Sequence, residues 1–298
     1  MEGIQNIDEI LTVADGIHVS RGDLGMDVDL QKVTLAQKYI ILKANRAGKP
    51  VITSTQMLNS MIDSLKPTLA EISDIANCVI DGTDAVMLSG ETAHGLYPVS
   101  CVATMSRILT EARNAIDYGI PYNTLEAHNR KLISNNIIEA MAAAVVETAN
   151  NLKAKLILID ETCTSAGKLT LFTAKYRPNA KIFAITSNQR CANQLEGLSH
   201  GVKSLVLQDN EFPVLPTNVK VLHRVILLTQ CETYHVEKGD VVVCLFQQDD
   251  LKKQRISKNH LSNSSGISGV VDTILKLERT SVVATCVQRV ITVGKDVF

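Results

Sequence analysis

Three times within the first 116 residues, a short apolar run is cut off by a polar tail, and a helical pattern follows at once. The runs are Gly16 to Ser20, Val51 to Ser54 and Asp84 to Leu88. Their tails are Arg21-Gly22-Asp23-Leu24-Gly25, Thr55-Gln56-Met57-Leu58 and Ser89-Gly90-Glu91-Thr92-Ala93. Short strands alternating with helices imply a parallel sheet with right-handed crossovers. The three tails then converge on one face, where a (β/α)8 barrel carries its active site. The first tail reads as a tight turn holding one acid between two glycines. Glycine lets a backbone N–H approach a ligand closely, and an acid at a strand's carboxyl end sits where α/β folds put their chemistry. A plain βα turn with Asp23 as helix cap accounts for the same residues, and this stretch alone does not choose between the two.

The intervening helices are read from apolar spacing. A short one covers Asn6 to Val13. A long one runs from Asp27-Val28-Asp29 to about Ala47, with Leu30, Val33, Ala36, Ile40, Ala44 and Ala47 on one face. Gly48 and Pro50 stop it, as a C-terminal glycine and a following proline do. Two more helices cover Ala70 to Ile80 and Pro98 to Ile116.

The chain has 298 residues, 45% apolar and 20% charged, which is enough for a substantial core and two domains. A net charge of −1 argues against a nucleic-acid partner or a membrane surface, either of which favours a basic bias. The longest apolar runs, such as Ala140 to Val146, are far shorter than a membrane span. The start Met1-Glu2-Gly3-Ile4 has no signal-peptide pattern. Seven cysteines form no C-x-x-C pair, and most sit in apolar runs. Free buried thiols in a reducing cytoplasm are the simplest account, and the scattered histidines offer no zinc spacing.

From Asp117 to about Arg130 the chain is polar and turn-rich, so the domain boundary is placed there, dividing residues 1–117 from residues 118–298. Leu132 to Leu152 then reads as a helix, with Ile137, Met141, Ala144, Val145, Thr148 and Leu152 on its buried face and Ser134 or Asn135 as cap. Strands follow at Lys155 to Ile159, Lys181 to Thr186, Val202 to Leu207 and Asp240 to Phe246, with one or two more in Ser281 to Val293. Helices are expected at Lys168 to Tyr176, Gln189 to Glu196 and Pro216 to Thr233. The second half is therefore a separate α/β domain.

The strings SRGDLG (20–25), AGKPVITSTQML (47–58) and DGTDAVMLSGETAHGLYP (81–98) closely resemble pyruvate kinase. EGIQNIDEIL (2–11) and the stretch Lys66 to Asn77 extend the likeness in the family's order through residue 115 or so, and the second half is similar in its pattern of elements. The resemblance implies a partial (β/α)8 barrel, made of its last three βα units, followed by the family's C-terminal α/β domain. It implies Mg2+-dependent (or Mn2+-dependent) phosphoryl transfer from phosphoenolpyruvate to ADP, giving pyruvate and ATP in glycolysis. It also implies a K+ requirement, a cytoplasmic location and a homotetramer.

Carried onto this chain, the family pattern makes Asp23 a metal ligand. It sets the amides of Gly22 and Asp23 against the substrate carboxylate, with glycine needed because a side chain would block the approach. Thr55 touches the same carboxylate and lies near the carbon that receives the proton. Arg21, Ser89 and Glu91 form a surrounding network, in which Arg21 is an internal ion-pair partner and Ser89 and Glu91 make structural hydrogen bonds. The loop of Thr164, Ser165, Gly167 and Lys168 matches the family's effector-phosphate loop, although Ala166 and Leu169 replace its usual hydroxyls. A longer segment, Gln247 to Arg279, stands in place of the short effector loop.

Other departures bear on mechanism. Leu69 replaces an arginine, and His18, Ser20 and His94 also differ from the common residues. The likeness begins after the family's Ser-Lys-Ile-Glu-Asn strand, which supplies the phosphoryl-facing lysine and a second metal-binding acid. The lid domain, the first five barrel strands and the K+ ligands are likewise expected outside this chain. Three βα units cannot close an eight-strand barrel, so the chain alone is expected to be inactive or nearly so. Two other readings remain. One is a truncated paralogue that binds effector or joins mixed oligomers. The other is a different Mg2+-dependent barrel acting on pyruvate enolates.

Overall fold

The computed structural model describes residues 1–116, 137–161, 167–206, 240–247 and 286–292. The chain divides into two compact units, one of Met1–Lys131 with Gly197–His200, the other of Leu132–Glu196 with Gly201–Phe298. The expected boundary at residues 117 and 118 lies at and beyond the edge of the described residues, as do the cap at Ser134 or Asn135, the helix at 216–233 and the insertion at 248–279.

In the first unit, α1 (Glu2–Gln5) and α2 (Ile7–Val13) lead into β1 (Ile17–Ser20), α3 (Arg21–Asp27) and α4 (Leu30–Ala47). Then come β2 (Val51–Ser54), a 3-10 turn (Asn59–Ile62), α5 (Leu69–Asp81), β3 (Ala85–Met87), α6 (Gly90–Ala93) and α7 (Pro98–Asn114). The strands pair in parallel in the order β1-β2-β3, with Ser20 beside Ser54 and Ser54 beside Met87. All three polar tails therefore leave from one edge of this three-stranded sheet.

Two apolar clusters support it. Ile7, Leu11, Val19, Ile40, Ile41, Ala44 and Val51 pack α2 and α4 onto β1 and β2. Met57, Leu58, Met61, Ile75, Cys78, Cys101 and Met105 pack the segment after β2 against α5 and α7. Met57 and Leu58 are fully buried, and burying side chains of that size is worth about 1.5–3 kcal/mol each. The start of α5 is fixed by a capping box in which Thr68 and Glu71 hydrogen-bond each other's backbone N–H.

The expected face of α4 is offset. Its buried residues are Gln37, Ile40, Ile41 and Ala44, while Leu30 is 78% exposed. Gln37 belongs inside because its amide meets the Cys78 thiol on α5 at 3.4 Å.

The second unit holds α8 (Ile137–Asn151), β4 (Leu156–Asp160), α9 (Lys168–Lys175), β5 (Lys181–Thr186), α10 (Gln189–Leu198), β6 (Val202–Val206), β7 (Val241–Gln247) and β8 (Cys286–Thr292). The sheet order is β6-β5-β4-β7-β8, parallel except for the antiparallel edge strand β8. Every residue of β4 is buried, and Leu156 to Ile159 read as one apolar run that ends in Asp160. The buried face of α8 is also offset: Val145 is buried as expected, but Ile137 and Leu152 are exposed. Glu139, Ala142, Ala143, Val145, Val146 and Ala149 point inward. Glu139 goes in because it meets Lys175 there, with Nζ and Oε1 2.6 Å apart.

Candidate active site

The tail of β1 is not the tight turn that its glycines imply. Arg21 through Asp27 form a short helix with Ser20 at its N-cap and Asp23 in its first turn. Asp23 is therefore not the cap; it is an exposed acid in the opening turn of α3. A methyl group at Gly22 would lie 3.7–3.9 Å from Thr55, which is ordinary contact. Packing within the protein thus leaves room at Gly22, and any need for glycine would come from a ligand.

Thr55 is brought directly to this helix start. The Gly22 N–H donates to Thr55 Oγ1 at 2.8 Å. Thr55 and Gln56 both take left-handed backbone, with φ of 68° and 54°. A β-branched residue there is an outlier, and each such residue costs on the order of 1–3 kcal/mol that its surroundings must offset. Those surroundings are specific. Arg21 donates to the Thr55 carbonyl from Nε at 3.0 Å and from Nη2 at 2.6 Å, and to the Gln56 carbonyl at 3.0 Å. Its Nη1 meets Asp74 Oδ2 on α5 at 2.5 Å. On the other side, buried Glu91 accepts from the Leu58 N–H at 3.0 Å and from the Ser89 N–H at 2.8 Å.

The tails of β2 and β3 are thus pinned to one carboxylate, and the tails of β1 and β2 to one guanidinium. Burial pushes the Glu91 carboxyl up, but the backbone N–H groups of Glu91, Ser89 and Leu58 outweigh that and hold it below its usual range.

Ser89 stands at the N-cap position of the short helix α6 without a side-chain capping bond, and is exposed. His18 and His94 are both exposed, and His18 meets the Ser54 hydroxyl at 2.6 Å. Leu69 is the first residue of α5 and is 84% exposed. Among the described residues no three His, Cys, Asp or Glu side chains gather as a metal site. In the second unit, Gly167 is left-handed at φ 75°, and a Cβ there would come within 2.9 Å of Leu195. Lys168 opens α9 and is exposed. Thr164 and Ser165 lie outside the described residues. Reading the sequence alone passes over Gln56 and Asp74; no local pattern marks Gln56 as left-handed, and Asp74 sits as an ordinary polar position on a helix.

Known proteins carry the same arrangement of elements. The family model of the pyruvate kinase barrel domain matches residues 1–102, and that of the pyruvate kinase alpha/beta domain matches residues 139–254. A pyruvate kinase of Sporosarcina psychrophila is 48% identical over 205 residues, 69% of this chain and 34% of that protein. One from Clostridium acetobutylicum is 41% identical over 245 residues, 81% of this chain and 48% of that protein. The crystal structure of a Cryptosporidium parvum pyruvate kinase superposes with a TM-score of 0.73 at 40% identity, covering 82% of this chain and 47% of that one. A structure described as Cryptosporidium parvum pyruvate kinase in complex with ADP gives 0.72. The chain therefore spans between a third and a half of these relatives. No helix among the described residues is long and apolar enough to cross a membrane. With both domain models matched in order, and the strand-end tails of the barrel domain joined as described, the chain belongs to the pyruvate kinase family.

Proposed function

We propose that this chain carries the part of a pyruvate kinase site that holds the substrate carboxylate and manages the proton at the enol carbon. The whole enzyme would move the phosphoryl group of phosphoenolpyruvate to ADP. The observation that supports this reading most is the meeting of the Gly22 N–H and the Thr55 hydroxyl, 2.8 Å apart, where the tails of β1 and β2 converge. A carboxylate oxygen arriving there would take the Gly22 and Asp23 N–H groups. It would release Thr55 Oγ1 from Gly22 and leave that hydroxyl to donate to the same carboxylate. Threonine is a poor acid, so the proton would reach carbon through water or a relay that Thr55 orients.

Asp23 would offer one carboxylate to Mg2+ or Mn2+. Mg2+ takes about six oxygens, so one acid does not hold it, and this chain's described residues are not a complete metal site. Bound with further ligands, the cation would offset charge on the enolate and the phosphoryl oxygens. The phosphoryl-facing lysine and the K+ ligands are assigned to no residue of this chain. The same reading implies a cytoplasmic protein, and a tetramer as in the family.

Two measurements test it. A lactate dehydrogenase-coupled assay of the purified chain should give no turnover above the blank; ordinary turnover overturns the expectation of inactivity. Oxalate, one carboxylate of which mimics that of the pyruvate enolate while an oxygen of the other stands for the enolate oxygen, should shift the amide resonances of Gly22 and Asp23. If it leaves them in place, the substrate-site reading is wrong.

A further inference from the structure

We propose that Asp74 is a positioning residue for Thr55, acting through Arg21. This rests on the reading of Thr55 as a substrate-facing group and names what aims it. The left-handed pair Thr55–Gln56 lies between two rigid anchors. Downstream, Met57 and Leu58 are fully buried, and Leu58 N–H is held by Glu91. Upstream, Ser54 is locked into β2. Between them, both carbonyls of the strained pair point at one guanidinium. Arginine presents its donors in a planar fork. Which edge of that fork faces the loop depends on what holds the remaining amino group, and Asp74 holds it from α5.

The arrangement is asymmetric in a telling way. The Arg21 side chain is 11% exposed and Asp74 is 35% exposed. Asp74 still reaches water, so the pair adds only modest stability by itself, yet the guanidinium satisfies two carbonyls of a strained turn. It also reaches Met57 Sδ at 3.0 Å. Without Asp74 the guanidinium can rotate away, and the left-handed pair can relax toward ordinary backbone. Thr55 Oγ1 then leaves the Gly22 N–H. The effect of Asp74 is therefore on where the hydroxyl points rather than on whether the unit folds.

Residue-resolved hydrogen exchange on the full chain tests this. The Gly22 amide reports the Thr55 contact, and the Leu96 amide, bonded to Ile62 O at 2.8 Å, reports the unit as a whole. In Asp74→Ala, Gly22 should exchange about tenfold faster while Leu96 keeps its protection. Arg21→Lys keeps the charge but loses the fork and should do the same. Asp74→Glu should restore most of the Gly22 protection, a rescue that generic loss of packing would not give. If Asp74→Ala does not fold, Asp74→Asn, of the same size, takes its place.

Equal acceleration at Gly22 and Leu96, or none at either, overturns the proposal. Oxalate titration of the same variants separates the two claims. Oxalate binding that weakens in step with Gly22 protection supports both. Absence of oxalate binding by the unmodified chain removes the substrate reading while the exchange data still decide the role of Asp74.

Discussion

Two ion pairs of similar length join helices to neighbouring segments in the two units, and they differ in almost everything else. Lys175 and Glu139 lie 2.6 Å apart with side-chain exposures of 2% and 9%. Arg21 and Asp74 lie 2.5 Å apart with exposures of 11% and 35%. The buried pair ties α9 to α8 beneath a five-stranded sheet. Burial pushes the Lys175 amine down, and the hydrogen bond it donates to Glu139 opposes that shift. The part-buried pair ends on a strained turn at the mouth of a three-stranded sheet. A buried charge needs its partner to remain buried; a screened one can be spent on geometry. The comparison separates a contact that holds a core from one that aims a side chain.

The largest expected effect breaks the comparison at its buried end. Glu139→Ala leaves the Lys175 charge in the core and should destabilise the second unit by about 3–5 kcal/mol. Two units need not unfold together, so the loss should be read from amides of β4 and β5, with those of β1 to β3 unmoved. Equal loss in both units would show that the pair is not local. Glu139→Gln should cost less, because an amide oxygen can still accept from Lys175.

The next effect tests the carboxylate that grips two tails. Glu91→Ala strands the Leu58 and Ser89 N–H groups, at a cost of about 1–3 kcal/mol. The sign of the pH dependence follows from the lowered pKa of Glu91, shared by Glu71 through the Ser60 and Thr68 bonds that outweigh its burial. A carboxylate depressed on folding contributes stability that is full above the ordinary glutamate value and lost as pH falls through the folded one. Acid should therefore loosen the first unit below that ordinary value. Glu91→Gln should flatten part of that loss, and an unchanged acid limb would contradict the assignment.

How much of this was legible in the residues follows from the same contrast. The strands of both units were readable, because β4 is apolar as far as Asp160 and β1 to β3 end abruptly in polar tails. Helix faces were less so. In α8 a glutamate marks the true inner stripe, and a charge looks like surface until its partner 36 residues away is known. The tail of β1 misled for a related reason. Two glycines favour a turn locally, but the packing of Leu24 against the first cluster makes a helix the better solution. The left-handed pair after β2 had no local sign at all, since neither threonine nor glutamine favours that backbone. It exists because Arg21, 34 residues upstream of Thr55, holds it.

Cysteine reactivity gives a smaller test of the same burial. Cys78 lies fully buried beneath Gln37, and burial pushes its thiol up to about 11. Cys101 and Cys191 are also raised by burial. Thiolate is the reactive form, so peptide-resolved alkylation of the native chain at mildly alkaline pH should leave all three unmodified. Rapid labelling of Cys78 would mean that α4 and α5 part readily, and that the platform carrying Asp74 is looser than its packing implies.

The smallest effect on stability should be the most informative about the site. Gly22 sits in helical backbone, and a methyl group there meets only ordinary contacts with Thr55. Replacing a helical glycine by alanine stabilises by about 0.5–1 kcal/mol, so Gly22→Ala should be neutral to slightly stabilising in thermal unfolding. That methyl would nevertheless stand beside the N–H that Thr55 now occupies, where a carboxylate is proposed to bind. Gly22→Ala should therefore weaken oxalate binding by about tenfold or more, equivalent to roughly 1.4 kcal/mol or more. Stability gained with binding lost would mean that glycine is kept for the ligand rather than for the fold. Binding retained would instead place the carboxylate elsewhere, and leave the strained turn and its arginine strut without a substrate to serve.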